Sequence, residues 1–138
     1  MDLKKIIFDE ISFKRKGFKN NSEFYHSLNI EIGQNAESKI FRVSLKLVGE
    51  KKDEYDVTIQ LSGFFSIDDS VDEKTKEFLL KKNTIAILLP YLRSQLSTLT
   101  AQPDTDVEVL PILNVSSAVN NKKADSAKHT QKLPQKSD

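Results

Sequence analysis

The sequence has no cysteine and no tryptophan, only two histidines, and four glycines spread along its 138 residues. The lack of cysteine excludes disulfides, thiolate nucleophiles and thiolate metal ligands. His26 and His129 stand far apart in the chain, so nothing supports a paired-histidine metal site or a catalytic triad. The glycines, at positions 17, 33, 49 and 63, form no phosphate-binding loop. We therefore expect no enzyme, no cofactor and no metal, and we expect His26 to be a surface or strand-end residue.

The charges of the chain almost cancel. Lys and Arg number 21, Asp and Glu number 20, and the net charge is +1. This balance gives no electrostatic reason to expect nucleic acid or an anionic membrane as the main partner. The longest apolar run, from Ile85 to Leu92, is less than half of a membrane span, and the first residues hold too short an apolar run for a secretory signal. The sequence thus predicts a cytoplasmic protein without direct membrane insertion.

Four strand-like segments occupy the first half of the chain. They run from Ile6 to Phe13, from Ser27 to Ile32, from Phe41 to Leu47 and from Tyr55 to Ile67, and the last three alternate apolar and polar residues. Short polar turns separate those three segments. The pattern predicts a four-stranded antiparallel sheet with one covered face and one solvated face.

Two helices follow the strands. The first is expected from Glu73 to Lys82 and the second from Asn83 to Gln102. In the longer helix, leucines and isoleucines recur at three- and four-residue steps and form one apolar stripe, whose members are Ile85, Leu88, Leu92, Leu96 and Leu99. Pro90 interrupts this pattern and predicts either a kink or a late helix start. The fold class is therefore α+β, with the sheet, a short helix and one long proline-containing helix packed on one face.

Three aromatic residues lie in or beside the polar connection between the first two strands, namely Phe18, Phe24 and Tyr25. Aromatic rings in a long connection are typical of a segment that packs onto something. Phe64 falls on the otherwise polar face of the fourth strand and is a candidate contact residue. Gly63 falls on the buried face, where it leaves room for the close approach of a ring or a backbone.

The last part of the chain has little that could form a core. We expect residues 1–115 to form one domain and residues 116–138 to form a disordered, lysine-rich tail.

Two stretches, Gly63-Phe-Phe-Ser-Ile67 and Asn83-Thr-Ile-Ala-Ile-Leu-Leu-Pro-Tyr-Leu-Arg93, occur in a particular order with the strands and with Leu110-Pro-Ile-Leu-Asn114. This arrangement resembles the SecB family of bacterial protein-export chaperones and their SecB-like relatives. The match covers roughly residues 8–115.

The resemblance implies an ATP-independent holdase that binds unfolded or presecretory polypeptides for export through the Sec translocase. It also implies a homotetramer, a dimer of dimers in which two eight-stranded sheets enclose the long helices. On this basis the client-binding groove is expected at Phe18, Phe24, Tyr25 and Phe64. The oligomer interface is expected at Ile85, Leu88, Leu89, Leu92, Leu96, Val57, Ile59 and Leu61.

The family's acidic docking face for the motor SecA corresponds here to Glu10, Lys14, Asp56 and Thr58, so only Glu10 and Asp56 keep an acid. A second helix usual in the family after the Leu-Pro segment is also missing. The alternative is therefore a SecB-like chaperone dedicated to one client, such as an antitoxin, without SecA docking. A third hypothesis, a nucleic-acid-binding sheet that uses the basic tail, has weaker support.

Overall fold

The computed structural model describes residues 1–35, 37, 39–111 and 130–135. Five strands and two helices make up this part of the chain. The strands are β1 (Asp2–Arg15), β2 (Phe24–Asn35), β3 (Ile40–Lys51), β4 (Tyr55–Ser66) and β5 (Thr130–Gln135). The helices are α1 (Glu73–Phe78) and α2 (Thr84–Thr100), joined by a π-helical segment, Leu79–Asn83.

The strands form one antiparallel sheet in the order β1-β4-β3-β2-β5. β2 and β3, and likewise β3 and β4, are sequence neighbours that pair through short turns, and Asp53 adopts a positive φ in the turn between β3 and β4. β1 pairs with β4, although β2 and β3 lie between them in the sequence, and it does so along nearly its whole length, with irregularities between Leu3 and Lys5 and between Phe8 and Glu10. The predicted four-stranded antiparallel sheet is confirmed, and β5 is an addition to it.

The core lies between one face of the sheet and α2. Alternate residues of β2, β3 and β4 point toward the helix, and α2 packs on β3 and β4. Gly63 makes this packing possible, because a Cβ there would lie 2.7 Å from the Phe65 ring and 2.8 Å from a methyl group of Leu88. The predicted close approach at Gly63 is thus confirmed. The two-layer α+β architecture follows from one apolar sheet face and one apolar helix stripe.

α2 runs through Pro90 without a late start. The π-helical segment precedes it, and the N–H of Thr84 donates to the carbonyl of Leu79, five residues earlier. The same residue's hydroxyl donates to the carbonyl of Leu80 at 2.6 Å. α1, the π-helical segment and α2 therefore follow one another without a turn, so the two predicted helices are parts of one helical stretch.

The residues expected at an oligomer interface are already buried inside one chain. The apolar stripe of α2 and the inward residues of β4 form the core: Ile85, Leu88, Leu89, Leu92, Leu96, Val57, Ile59 and Leu61. The prediction is wrong for this set because the helix stripe packs directly on its own sheet. On the outer side of α2, Tyr91 is 48% exposed, whereas Ile87 is half-buried and packs against the edge of the core.

The structure also departs from the expectation of a disordered tail. Thr130–Gln135 form β5, which pairs with β2 from Phe24 to Asn29. Backbone pairing to an open edge needs no large apolar side chains, which explains why composition gave no sign of this strand. The predicted domain boundary after residue 115 lies outside the described residues and stays a prediction.

Candidate client-binding surface

The four aromatic residues predicted to line one groove are not brought together. Phe24 is only 1% exposed and lies in the core, 6.2 Å from the ring of Tyr55. Its neighbour Tyr25 points to the opposite, open face of the sheet and is exposed. Phe64 is on that open face as well, but far from Tyr25 along the strands. The strand register aligns Tyr25 with Asp56 of β4, and the eight residue steps from Asp56 to Phe64 span roughly 26 Å. Phe24 is therefore excluded from an exposed groove, because β2 begins at this residue and turns its ring inward.

Phe18 is the most exposed aromatic, with 88% of its surface accessible. It sits in the connection between β1 and β2, which is held by the turn between β3 and β4. The carbonyl of Glu54 accepts the N–H groups of Lys16 at 2.7 Å and Gly17 at 3.1 Å. Only glycine fits at position 17, because a Cβ would lie 2.2 Å from the carbonyl oxygen of Asp53. The base of the connection is thus fixed, while the ring of Phe18 faces solvent.

A cluster of charges with a buried centre, Lys51 and Glu54, contacts this connection. Glu54 is fully buried, and its Oε1 lies 3.1 Å from Nζ of buried Lys51 and accepts the N–H of Asn20 at 3.2 Å. The approach of Lys51 is close in distance but does not have hydrogen-bond geometry. Arg15 lies 3.9 Å from the second oxygen of Glu54, and Asp106 lies 3.9 Å from Lys51. We call Arg15, Lys51, Glu54 and Asp106 the charge cluster.

The charge cluster joins the connection to the segment that follows α2. Lys19 lies 2.8 Å from Asp106 and, chiefly by a hydrogen bond, lowers the pKa of that carboxyl. Arg15 also donates to the hydroxyl of Thr105 at 2.6 Å. Because Lys19 follows Phe18 and Asp106 precedes Val107, one ion pair holds two exposed apolar residues on adjacent segments.

The segment after α2 alternates between buried and exposed side chains. Glu108 and Leu110 are buried, while Val107 and Val109 are 52% and 55% exposed. Backbone contacts fix the segment along the helix: Arg93 donates to the carbonyl of Leu110, Ser97 donates to that of Glu108, and the N–H of Glu108 donates to Thr100. We call Phe18, Val107 and Val109 the loop surface. Sequence reasoning missed the two valines, although their alternation with Glu108 and Leu110 was a readable signal.

A second apolar surface lies on β1. This strand is at the edge of the sheet, beyond the part that α2 covers, and its helix-side residues Leu3, Phe8 and Ile11 remain exposed. No strand in the described part of the chain pairs with its outer edge. A long edge strand with exposed apolar residues is typical of a site that pairs with another strand.

The open face of the sheet is not acidic. Glu10 is exposed on β1, but Asp56 lies 3.0 Å from Lys16, which also binds Glu50 at 2.8 Å. The hydrogen bond to Glu50 raises the pKa of Lys16 most, and the hydrogen bond to Asp56 raises it further. Lys14 is directly opposite Asp56 in the strand register. Lysines therefore neutralise Asp56, one of the two acids that sequence reasoning singled out, and Glu10 remains exposed.

Phe64 belongs to a basic corner of the same face. Lys5 lies 4.8 Å and Arg42 lies 5.3 Å from the centre of its ring, as in cation–π contacts. Arg42 is also bound by Asp9 at 2.6 Å. A shallow cavity of about 560 Å³ is lined by Lys4, Lys5, Gly33, Gln34, Asn35, Ile40, Arg42 and Phe64. Phe64 is thus separate from the loop surface and has a cationic setting.

His26 is buried, which corrects the expectation of a surface residue. It lies on the inner face of β2, stacked 5.8 Å from the ring of Phe24, and neither ring nitrogen has a hydrogen-bond partner in the described part of the chain. Burial lowers the pKa of His26, because the charged imidazolium loses its hydration.

This burial predicts a pH-dependent stability. Below about pH 6.5 the unfolded chain takes up a proton at His26 that the folded chain resists, so the free energy of unfolding falls as pH decreases from there. We expect His26→Leu to remove up to about 1.4 kcal/mol of the loss between pH 7.5 and 5.5. Urea unfolding of both proteins at the two pH values measures this difference. An equal loss of stability in both proteins would show that His26 does not titrate in this way.

The described residues contain no group of three or more potential metal ligands, and no helix among them is long and apolar enough to cross a membrane. The exposed features described above are the apolar loop surface, the β1 edge, Tyr91 on the outer side of α2 and the mixed open face.

Comparison with known proteins finds a relative by sequence and several solved structures with a similar fold. The chain is 31% identical over 107 residues to the uncharacterized protein MJ0357 of Methanocaldococcus jannaschii, an alignment that covers 75% of this chain and 68% of the relative. The chain belongs to the MJ0357 family. No general protein-family model matches it.

This MJ0357-family chain is also similar to a solved structure of the Mycobacterium tuberculosis SecB-like chaperone Rv1957 in complex with a ChAD peptide from the Rv1956 HigA1 antitoxin. The TM-score is 0.64 at 15% identity, with 81% of this chain and 90% of that chain covered. At this identity the likeness shows the fold alone. The MJ0357-family chain therefore has a SecB-like fold, as the order of its motifs predicted.

Proposed function

We propose that the chain is a SecB-like chaperone that holds an extended, apolar segment of a dedicated client polypeptide without nucleotide. The observation that carries the proposal is the loop surface, in which exposed apolar residues are fixed to a SecB-like fold by the charge cluster. Exposed apolar residues on a rigid, charged base suit a ligand that is itself apolar and unfolded.

The loop surface offers a ring and two branched side chains for client side chains. Phe18 is fully available, and Val107 and Val109 project from a segment whose backbone is fixed along α2. Such a site selects polypeptides by apolar and aromatic residues rather than by charge. Among the residues predicted for the client groove, we retain Phe18 and assign Tyr25 and Phe64 to the open face.

The open face favours a dedicated client over general export. A docking face for SecA at Glu10 and Asp56 would need unpaired acids, but Lys16 binds Asp56 and Lys14 stands opposite it. The peptide held by the similar SecB-like chaperone comes from an antitoxin, and a client of that kind is our first candidate here. A holdase for presecretory polypeptides that delivers to SecA is the second candidate, since Glu10 remains exposed.

We further propose a cytoplasmic homotetramer, a dimer of dimers. The edge of β1 carries exposed Leu3, Phe8 and Ile11 and suits strand pairing with a second copy. The outer side of α2, with Ile87 and Tyr91, suits the contact between dimers. This assembly surface replaces the set that the structure places in the core.

The function is tested by aggregation of an unfolded client in the absence of ATP. We expect a stoichiometric amount of the chain to suppress the light scattering of a polypeptide that is diluted from denaturant. In a separate binding assay with a labelled polypeptide whose cysteines are reduced and alkylated, we expect Phe18→Ser/Val109→Ser to weaken binding about tenfold, since two apolar contacts are lost. Val48→Ser is the matched control, because Val48 is 46% exposed on the open face, away from the loop surface.

The range of clients separates the two candidate functions. A dedicated chaperone should bind one polypeptide of a panel at least a hundredfold more tightly than the others, whereas an export holdase should bind many within about tenfold. Absence of binding to every unfolded polypeptide would refute both.

A further inference from the structure

β5 occupies the outer edge of β2, next to the connection that carries Phe18. The two strands are antiparallel, with Phe24 opposite Gln135, Ser27 opposite Lys132 and Asn29 opposite Thr130. β5 has six residues, whereas β2 has twelve. The tail therefore covers only the first half of this edge, the half that begins directly after the connection.

The edge of β2 is suited to an extended polypeptide. β2 is regular through all of its pairing with β3, so its outer N–H and C=O groups recur at constant spacing. An edge of this kind binds a peptide by adding it as a further strand, with affinity from main-chain hydrogen bonds and selectivity from side-chain contacts nearby. The exposed rings nearest in sequence to this edge are Tyr25 on β2 itself and Phe18 in the connection.

β5 is a weak occupant of that edge. It is short, with six residues against the twelve of β2, and it contains Pro134 opposite Tyr25. Short, proline-containing edge strands are typical of edges that are covered against unwanted pairing but not locked.

We propose that Thr130–Gln135 is a built-in competitor, which occupies the site on β2 where an extended client segment adds as a strand. This inference rests on the proposed function, and it adds the location of the client's backbone and a means of regulation. Client binding then requires release of the tail, and the apparent dissociation constant rises in inverse proportion to the fraction of chains with a free edge. A tail bound in nine chains of ten weakens binding about tenfold.

An engineered disulfide can hold the tail in place. The chain has no cysteine of its own, so no other thiol of the same chain can compete for the pairing. Ser27→Cys/Lys132→Cys places two thiols at opposite positions of β2 and β5. Ser44→Cys/Lys132→Cys is the matched control, since Ser44 belongs to β3 and is not opposite β5. We expect oxidation to form an intrachain disulfide in the first protein and not in the second.

A second full-length variant releases the tail. Neighbouring N–H groups of a strand point in opposite directions, so in Gln131→Pro/Lys132→Pro one of the two lost donors must face β2. For every protein, binding of a labelled polypeptide with reduced and alkylated cysteines is measured by fluorescence anisotropy. The oxidised Ser27→Cys/Lys132→Cys protein is measured without reductant, so that its disulfide stays intact. A client polypeptide with its thiols blocked cannot exchange with the disulfide.

We expect affinity at least tenfold tighter in the double-proline variant than in the unchanged chain, loss of binding in the oxidised protein, and recovery when it is reduced. Equal affinity of the unchanged chain, the double-proline variant and the oxidised protein would overturn the proposal while leaving the proposed function intact. Failure of the 27–132 disulfide to form, or its formation between two chains, would also overturn it. No binding by any form, including the double-proline variant, would instead refute the proposed function.

Discussion

Leu92→Asp is expected to unfold the chain. Leu92 is completely buried where the middle of α2 meets the sheet. Truncating a buried leucine already costs about 2–5 kcal/mol, and a carboxylate without a partner adds several more or must become protonated. The sum is comparable to the total stability of a typical domain, about 5–15 kcal/mol. Circular dichroism and urea titration measure the outcome.

Tyr91→Asp is the matched control for this substitution. Tyr91 is the preceding residue of the same helix but lies on its outer side, half exposed. We expect it to change the free energy of unfolding by less than about 1 kcal/mol and, if dimers meet through this side, to lower the solution mass seen by light scattering. A folded Leu92→Asp protein with an unchanged urea midpoint would contradict the assignment of the stripe to the core.

Glu54→Gln is expected to destabilise the chain by about 3–5 kcal/mol, because it removes the near counter-charge of buried Lys51. Asp106 remains, but at 3.9 Å from Nζ and shared with Lys19. The glutamine also weakens the acceptor for the N–H of Asn20, which helps to fix the connection. Urea unfolding measures the loss of stability, and binding of the unfolded polypeptide should weaken with it.

Two controls separate charge from packing at this site. Lys51→Met/Glu54→Leu removes both charges and should recover most of the lost stability, since apolar replacement of a buried pair is often neutral. Glu50→Gln alters an acid whose side chain is 58% exposed and should change stability by less than about 1 kcal/mol. If Glu54→Gln were as stable as the unchanged chain, the charge cluster would not hold the connection in place.

Local patterns were sufficient for the main elements of the fold. The three- and four-residue spacing from Ile85 to Leu96 predicts α2 and its buried side, and the alternation from Tyr55 onward predicts β4 and the role of Gly63. Both are short-range properties of one element against one surface. The order of those elements was enough to indicate a SecB-like fold.

The same alternation could have placed Phe24 and His26 correctly. Leu28 and Ile30 define the inner face of β2, and counting back by twos leads to both residues. The error came from starting the strand too late and treating Phe24 as part of the connection.

Other features depend on contacts that no local pattern contains. Asp106 meets Lys51 only after the chain has passed through β4 and both helices, so the charge cluster cannot be read from spacing. Likewise, the apolar stripe of Leu88 and Leu92 predicts a buried helix face, but it does not show whether the surface that packs on it belongs to the same chain or to another chain. That ambiguity led to the assignment of core residues to an oligomer interface.

Binding of an unfolded polypeptide is the direct test of the central claim. A polypeptide with reduced and alkylated cysteines, which cannot fold, is compared with its native form by fluorescence anisotropy against the full chain without nucleotide. We predict saturable binding of the unfolded form with a dissociation constant in the micromolar range or below, roughly −8 kcal/mol or better, and at least tenfold weaker binding of the native form. Equal affinity for the two forms, or no binding of a client panel, would contradict the account.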